Sequence, residues 1–151
     1  TVLPSEDYIL PFGVANEVLS AHASSLQYGP AVLIVTYGMG VHWALNAASH
    51  FEGKVGIVDL RTLFPLDEDL IYSVAKKYHR ILVVTEEAVN NGFAQSLAAR
   101  IQEHCFEHLD APVMTVGSHN LPAIPLNETL EKTMVYSAEK LVTAIEKLMA
   151  Y

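Results

Sequence analysis

The sequence predicts an α/β fold: a mostly parallel sheet with helices on both of its faces. Four apolar, β-branched runs carry the prediction, "AVLIVTYG" at 31–38, "KVGIVDL" at 54–60, "RILVVTEE" at 80–87 and "APVMTVG" at 111–117. Runs of this length and apolarity, with no polar alternation, read as strands buried on both faces. Segments with helical spacing separate them, and strands that alternate with helices pack into a layered parallel sheet.

The elements follow in order. The opening "TVLPSEDYILPFG" is extended and proline-marked, so residues 1–12 read as a linker from something upstream and 13–151 as the domain. "VANEVLSA" (14–21) alternates loosely, as a strand does, and "SSLQYGP" follows as a turn-rich connection. That connection is too short for a crossover helix, so the first strand is expected to pair antiparallel with the second. "GMGVHWALNAASHF" takes up helical spacing, which Gly53 breaks. In "DEDLIYSVAKKY" the acids Asp67, Glu68 and Asp69 crowd the first helical turn, with Lys76 and Lys77 at the other end. Both placements complement the helix macrodipole. "FAQSLAARIQEHCFEHL" sets Phe93, Leu97, Ile101 and Cys105 four apart on one helical face. Pro112 and Gly117 bound the fourth run, and the tail aligns Leu141, Ile145, Leu148 and Met149 in one stripe.

Length and composition narrow the function classes. At 151 residues, 51% apolar and 17% charged, the chain is one globular domain with a real core. A net charge of −8 argues against nucleic acid and anionic membrane, which need clustered Lys and Arg, and favours a basic protein surface as partner. The single Cys105 excludes an internal disulfide and fits a reducing compartment. There is no eighteen-residue apolar run and no signal-peptide pattern.

Several residues invite chemistry and then decline it. Gly38 and Gly40 meet a helix start, and Asp59 ends the next strand about twenty residues on, as in a dinucleotide site. The third glycine of that pattern is missing, because Trp43 occupies its place. Glu86 and Glu87 end a strand at the edge where α/β sheets bind ligands, but adjacent strand residues point to opposite faces. One then reads as a solvated acid and the other as a structural acid holding "AVNNG". His104 and His108 have a zinc-compatible spacing without a glutamate base or a third ligand nearby, and Cys105 behaves as a small hydrophobe. No residue is assigned to catalysis, cofactor binding or metal binding on these grounds.

"VTYGMGVHWAL", "VDLRTLFPLDEDLI", "ILVVTEEAVNNGFAQSLAARI", "HLDAPVMTV" and "LVTAIEKLMAY" together resemble the carboxyl-terminal domain of the transketolase superfamily. The likeness is strongest to the beta chain of the thiamine-diphosphate-dependent 2-oxo acid dehydrogenase component that decarboxylates pyruvate or branched-chain 2-oxo acids. "EDYILPFGVA" also resembles the linker that follows the family's pyrimidine-binding domain. The resemblance implies a three-layer α/β/α domain with a five-stranded mixed sheet and an antiparallel first strand. It implies that thiamine diphosphate and magnesium belong to the parent enzyme, because "VNNG" lacks the GDG of the diphosphate signature. The isolated chain is then an inactive assembly domain, cytoplasmic in a bacterium or in the mitochondrial matrix of a eukaryote. Two loops depart from the family pattern: "NNGFAQS" lacks the GFGAE-like form, and "SHNLPAIPLN" stands where a DTPxP type is usual. A transketolase or deoxyxylulose-phosphate synthase tail is the alternative within the superfamily. A free-standing flavodoxin-like binding module is the alternative outside it.

The resemblance also implies partners: a second copy, the alpha chain or domain of the same enzyme, and the small basic subunit-binding domain of the acyltransferase component. Asp110 of "LDAP" and the carboxylate of Tyr151, if it is the terminus, are the expected anionic contacts for that basic domain. Arg61 in "DLRTLFP" is expected at an interdomain interface, where a guanidinium makes planar two-point contacts. Plainer roles stand beside these: Arg61 pairing with Asp59 or with an acid of the next helix, and Asp110 capping its own turn.

Overall fold

Strands β1 (Asn16–Leu19), β2 (Val32–Thr36), β3 (Val55–Asp59), β4 (Ile81–Ala88) and β5 (Met114–Ser118) form one sheet in the order β1-β3-β2-β4-β5. The computed structural model describes residues 7–123, 125–135 and 137–151. Helices α1 (Ala23–Tyr28), α2 (Met39–Ala48), α3 (Glu68–Tyr78), α4 (Phe93–Cys105), α5 (Glu128–Met134) and α6 (Ala138–Met149) accompany the sheet, with a 3-10 turn at Phe106–His108. The pairs β2–β3, β2–β4 and β4–β5 are parallel, and β1 runs antiparallel to β3. This is the three-layer, five-stranded, mostly parallel arrangement with an antiparallel first strand that the family resemblance implies.

The two-residue period of the strands builds two cores. Leu33 and Val35 of β2, Val58 of β3 and Ile81 and Val83 of β4 face Ile71, Val74, Leu97, Ile101 and Cys105 of α3 and α4. Val32, Ile34, Ile57, Leu82 and Val84 face Ala44 and Ala47 of α2 and Leu141, Ile145 and Leu148 of α6. A large aliphatic side chain buried this fully contributes about 1.5–3 kcal/mol. Gly40 lets α2 sit close to the sheet, since a Cβ there would lie 2.0 Å from Thr36 Oγ1. It does the close-packing job that the missing third glycine would have done in a dinucleotide site.

Three features differ from the sequence reading. The first strand pairs with β3, not with the second strand. β2 has a partner on each side and is buried throughout, while β1 is only half-buried along its length, as suits an edge. The connection after β1 contains α1, which has six residues, none buried, and so carries no apolar stripe to read. Helix α5 shows no apolar stripe in the sequence, because only Met134 of its seven residues is buried. Its signal was Asn127, whose side chain accepts from Thr129 and Leu130 N–H.

Tyr78, the last residue of α3, ties two elements together. Its hydroxyl accepts from Ala21 N–H at 2.9 Å and donates to Glu17 Oε1 at 3.3 Å. The ring passes over Gly56, where a Cβ would meet the hydroxyl at 2.1 Å. Burial is the main cause pushing the phenol up to about 12.

Candidate functional site

Open α/β sheets bind ligands at the loops that leave the carboxyl ends of their strands. Leaving β3, the chain turns at Arg61, whose φ is +57, and Arg61 N–H donates to Asp59 Oδ1 at 3.0 Å. Asp59 therefore serves its own turn. The Arg61 guanidinium makes no hydrogen bond or ion pair among the described residues, so neither plainer pairing forms through its side chain. Beyond it, Thr62 Oγ1 accepts from Gly13 N–H at 2.9 Å and donates to Pro65 O at 2.9 Å. Asp67 uses both oxygens, Oδ1 for Leu70 N–H at the start of α3 and Oδ2 for Ala15 N–H. Two side-chain bonds thus bind the arm at 13–15 to the 61–67 loop. The composite surface exposes Ile9 (85%), Phe12 (81%) and Phe64 (95%). Large apolar side chains this bare on two tethered segments mark an interaction surface.

At the end of β4 the two glutamates part ways. Glu87 Oε1 accepts from Phe93 N–H at 2.5 Å and so closes the first turn of α4 across the 88–92 loop. Gly92 is packed beneath it, a Cβ there lying 2.6 Å from Ala88 O. Glu86 lines a cleft of about 340 Å³ with Glu87, Glu131, Leu121, Pro122 and Met134. Three carboxylates with no cation repel a diphosphate. No group of three or more His, Cys, Asp or Glu among the described residues is placed to hold a metal. The residues lining this cleft do not fit thiamine diphosphate with magnesium.

The histidines do not assemble. The His104 ring stacks on Tyr72 with centroids 4.6 Å apart, and its Nδ1 lies 2.9 Å from Arg100 O. His108 falls in the 3-10 turn, beyond the end of α4, so the four-residue spacing does not put both on one helical face. Cys105 is fully buried, and burial raises its thiol. No helix among the described residues is long and apolar enough to cross a membrane.

Asp110 lies on the turn leading into β5. Arg80, just before β4, donates from Nη1 to Asp110 Oδ2 at 3.0 Å, with side chains 14% and 52% exposed respectively. Asp110 N–H donates to His79 O at 2.8 Å, and His79 Nδ1 lies 2.6 Å from His108 O. The carboxylate holds an arginine of its own chain and, among the described residues, caps no turn. Sequence reasoning missed Arg80; the available signal was a cation opening one buried run and an acid just before the next. Tyr151 is 58% exposed and is not brought into contact with Asp110 or Arg61 by any bond.

The family described as Transketolase, C-terminal domain, matches residues 21–141. The chain is 36% identical over 153 residues to the 2-oxoisovalerate dehydrogenase subunit beta of Bacillus subtilis, covering 99% of this chain and 44% of that protein. It is 32% identical over 145 residues to the pyruvate dehydrogenase E1 component subunit beta of Rickettsia felis, covering 94% and 42%. The chain thus spans less than half the length of these curated relatives. Among solved structures, a split-gene transketolase described as an inactive beta4 tetramer superposes with a TM-score of 0.74. That match has 23% identity and covers 99% of this chain and 46% of the other, which bears on the fold alone.

Proposed function

The chain belongs to the transketolase C-terminal domain family, and on that premise we propose that it is the assembly and partner-docking domain of a 2-oxo acid dehydrogenase beta chain. The observation that carries this reading is the 36% identity to a 2-oxoisovalerate dehydrogenase beta subunit across 99% of the chain. The fold would suit a transketolase tail equally; the relatives favour the dehydrogenase. Oxidative decarboxylation of the 2-oxo acid, with thiamine diphosphate and magnesium, and acyl transfer to the lipoyl-bearing acyltransferase belong to the whole cytoplasmic or matrix enzyme. The isolated domain does neither.

Its own work is contact. The segment 1–12 is the linker from a preceding pyrimidine-binding domain, and the arm-plus-loop surface with Arg61 packs on neighbouring domains, including the alpha chain and a second copy. The exposure of Phe12 and Phe64 and an Arg61 guanidinium unpaired among the described residues support that assignment. Asp110 and, where it ends the polypeptide, the Tyr151 carboxylate receive the basic subunit-binding domain of the acyltransferase. A half-exposed carboxylate on a pinned turn, in a chain of net charge −8, supports the choice of a cationic partner.

Calorimetry of docking tests this. Losing one partner of a desolvated charge pair costs about 2–5 kcal/mol, and a half-exposed acid belongs at the low end. Asp110→Ala is expected to weaken binding about tenfold or more, with the fold intact by circular dichroism. Asp110→Asn controls for Arg80, because its amide oxygen still accepts from the guanidinium. Two residues added after Tyr151 should also weaken docking. Variants that all bind like the parent place the docking site elsewhere.

A further inference from the structure

We propose that Arg80 is the positioning residue of the docking carboxylate, holding Asp110 at a fixed place on the surface so that it meets a partner's arginine already ordered. This rests on the docking role proposed for Asp110 and adds to it a residue that does not itself touch the partner.

Arg80 is mostly buried, and its Nε is buried without a hydrogen-bond partner. Among the described residues Asp110 is the only carboxylate within ion-pair reach of its guanidinium. Swinging Asp110 away would strand a largely buried cation, which costs far more than parting an exposed pair. The backbone beneath is fixed as well. Asp110 N–H donates to His79 O, and His79, in the left-handed region at φ +63 where it closes α3, reaches His108 O through Nδ1. These links clamp the turn into β4 against the turn into β5.

Arg80 occupies Oδ2 alone, so Oδ1 and the outward lone pairs remain for a two-point contact from an incoming guanidinium. An acceptor ordered before docking loses less conformational freedom when the partner arrives, and the gain appears as slower dissociation. Charge acts in the opposite direction, since Arg80 is a cation beside a site for a cation. At a half-exposed carboxylate that repulsion is screened by solvent, and order dominates.

The test uses the assembled parent enzyme, with the subunit-binding domain of its acyltransferase as probe, by surface plasmon resonance. Arg80→Gln is expected to weaken docking about fivefold, through dissociation, with association unchanged or faster. Arg80→Lys should restore part of the loss, because it keeps the charge but not the planar fork. In an Asp110→Asn background, Arg80→Gln should change nothing further, whereas a general structural role would lower binding by the same factor in both backgrounds. Unchanged or tighter binding by Arg80→Gln, with Asp110→Asn weakened, overturns the positioning role and leaves the docking reading standing. Asp110→Asn binding like the unaltered enzyme, or no binding by that enzyme, overturns both.

Discussion

Asp67 is where a single substitution should reach furthest through the 61–67 loop. Its carboxylate caps α3 through Leu70 N–H at 3.1 Å and holds the arm through Ala15 N–H at 2.9 Å. Loss of an N-cap costs about 1 kcal/mol. Ala15 is only 7% exposed, and a buried N–H left without an acceptor costs about 1–3 kcal/mol. Asp67→Ala should therefore destabilise the chain by about 2–4 kcal/mol, the sum of the two terms. Asp67→Ser keeps a capping oxygen but is too short to reach both partners, so it should lose only the Ala15 term. Urea unfolding followed by circular dichroism reads the difference as a shift in midpoint at constant slope. Amide exchange at Ala15 should quicken in both variants, while exchange in the middle of α3 quickens only as far as global stability falls. An Asp67→Ala protein within about 0.5 kcal/mol of the parent would refute the reasoning, because that is the range of an unconstrained surface change.

Tyr78→Phe should cost about 1–3 kcal/mol by leaving Ala21 N–H unpaired. The phenol is raised from 10.0 to about 12 on folding, so its contribution is fully present below pH 10 and is lost as pH rises through about 12. Urea midpoints between those pH values should fall more steeply for the parent than for the Phe variant, and parallel curves would contradict this. Thiamine diphosphate with magnesium should leave the melting temperature of the isolated chain unmoved, since a ligand stabilises only what it binds; a rise of several degrees would assign it a site here. With Ile9, Phe12 and Phe64 bare, the isolated chain should associate with itself as concentration rises in sedimentation, and a clean monomer at high concentration would count against the apolar interface.

The sequence by itself determined the layers. Runs such as "AVLIVT" and "ILVVT" are apolar on both alternations, so they must be covered on both faces, and the stripes Leu97–Ile101–Cys105 and Leu141–Ile145–Leu148 supply the cover. Those patterns are local, with periods of two and 3.6 residues, and need no partner to be visible. Short elements escaped because six or seven residues show too little periodicity, as α1 and α5 do. What only the tertiary structure decided were the bonds between distant residues. Asp67 reads as helix-start charge until Ala15, 52 residues earlier, is found on its second oxygen. Arg80 reads as the first residue of a strand until Asp110 is found over its guanidinium. The pairing of β1 with β3 likewise follows from competition for the two sides of β2. Such contacts depend on where the chain has been brought by burying its apolar surface, and burial is non-directional, so no local pattern records which polar groups it will leave facing each other.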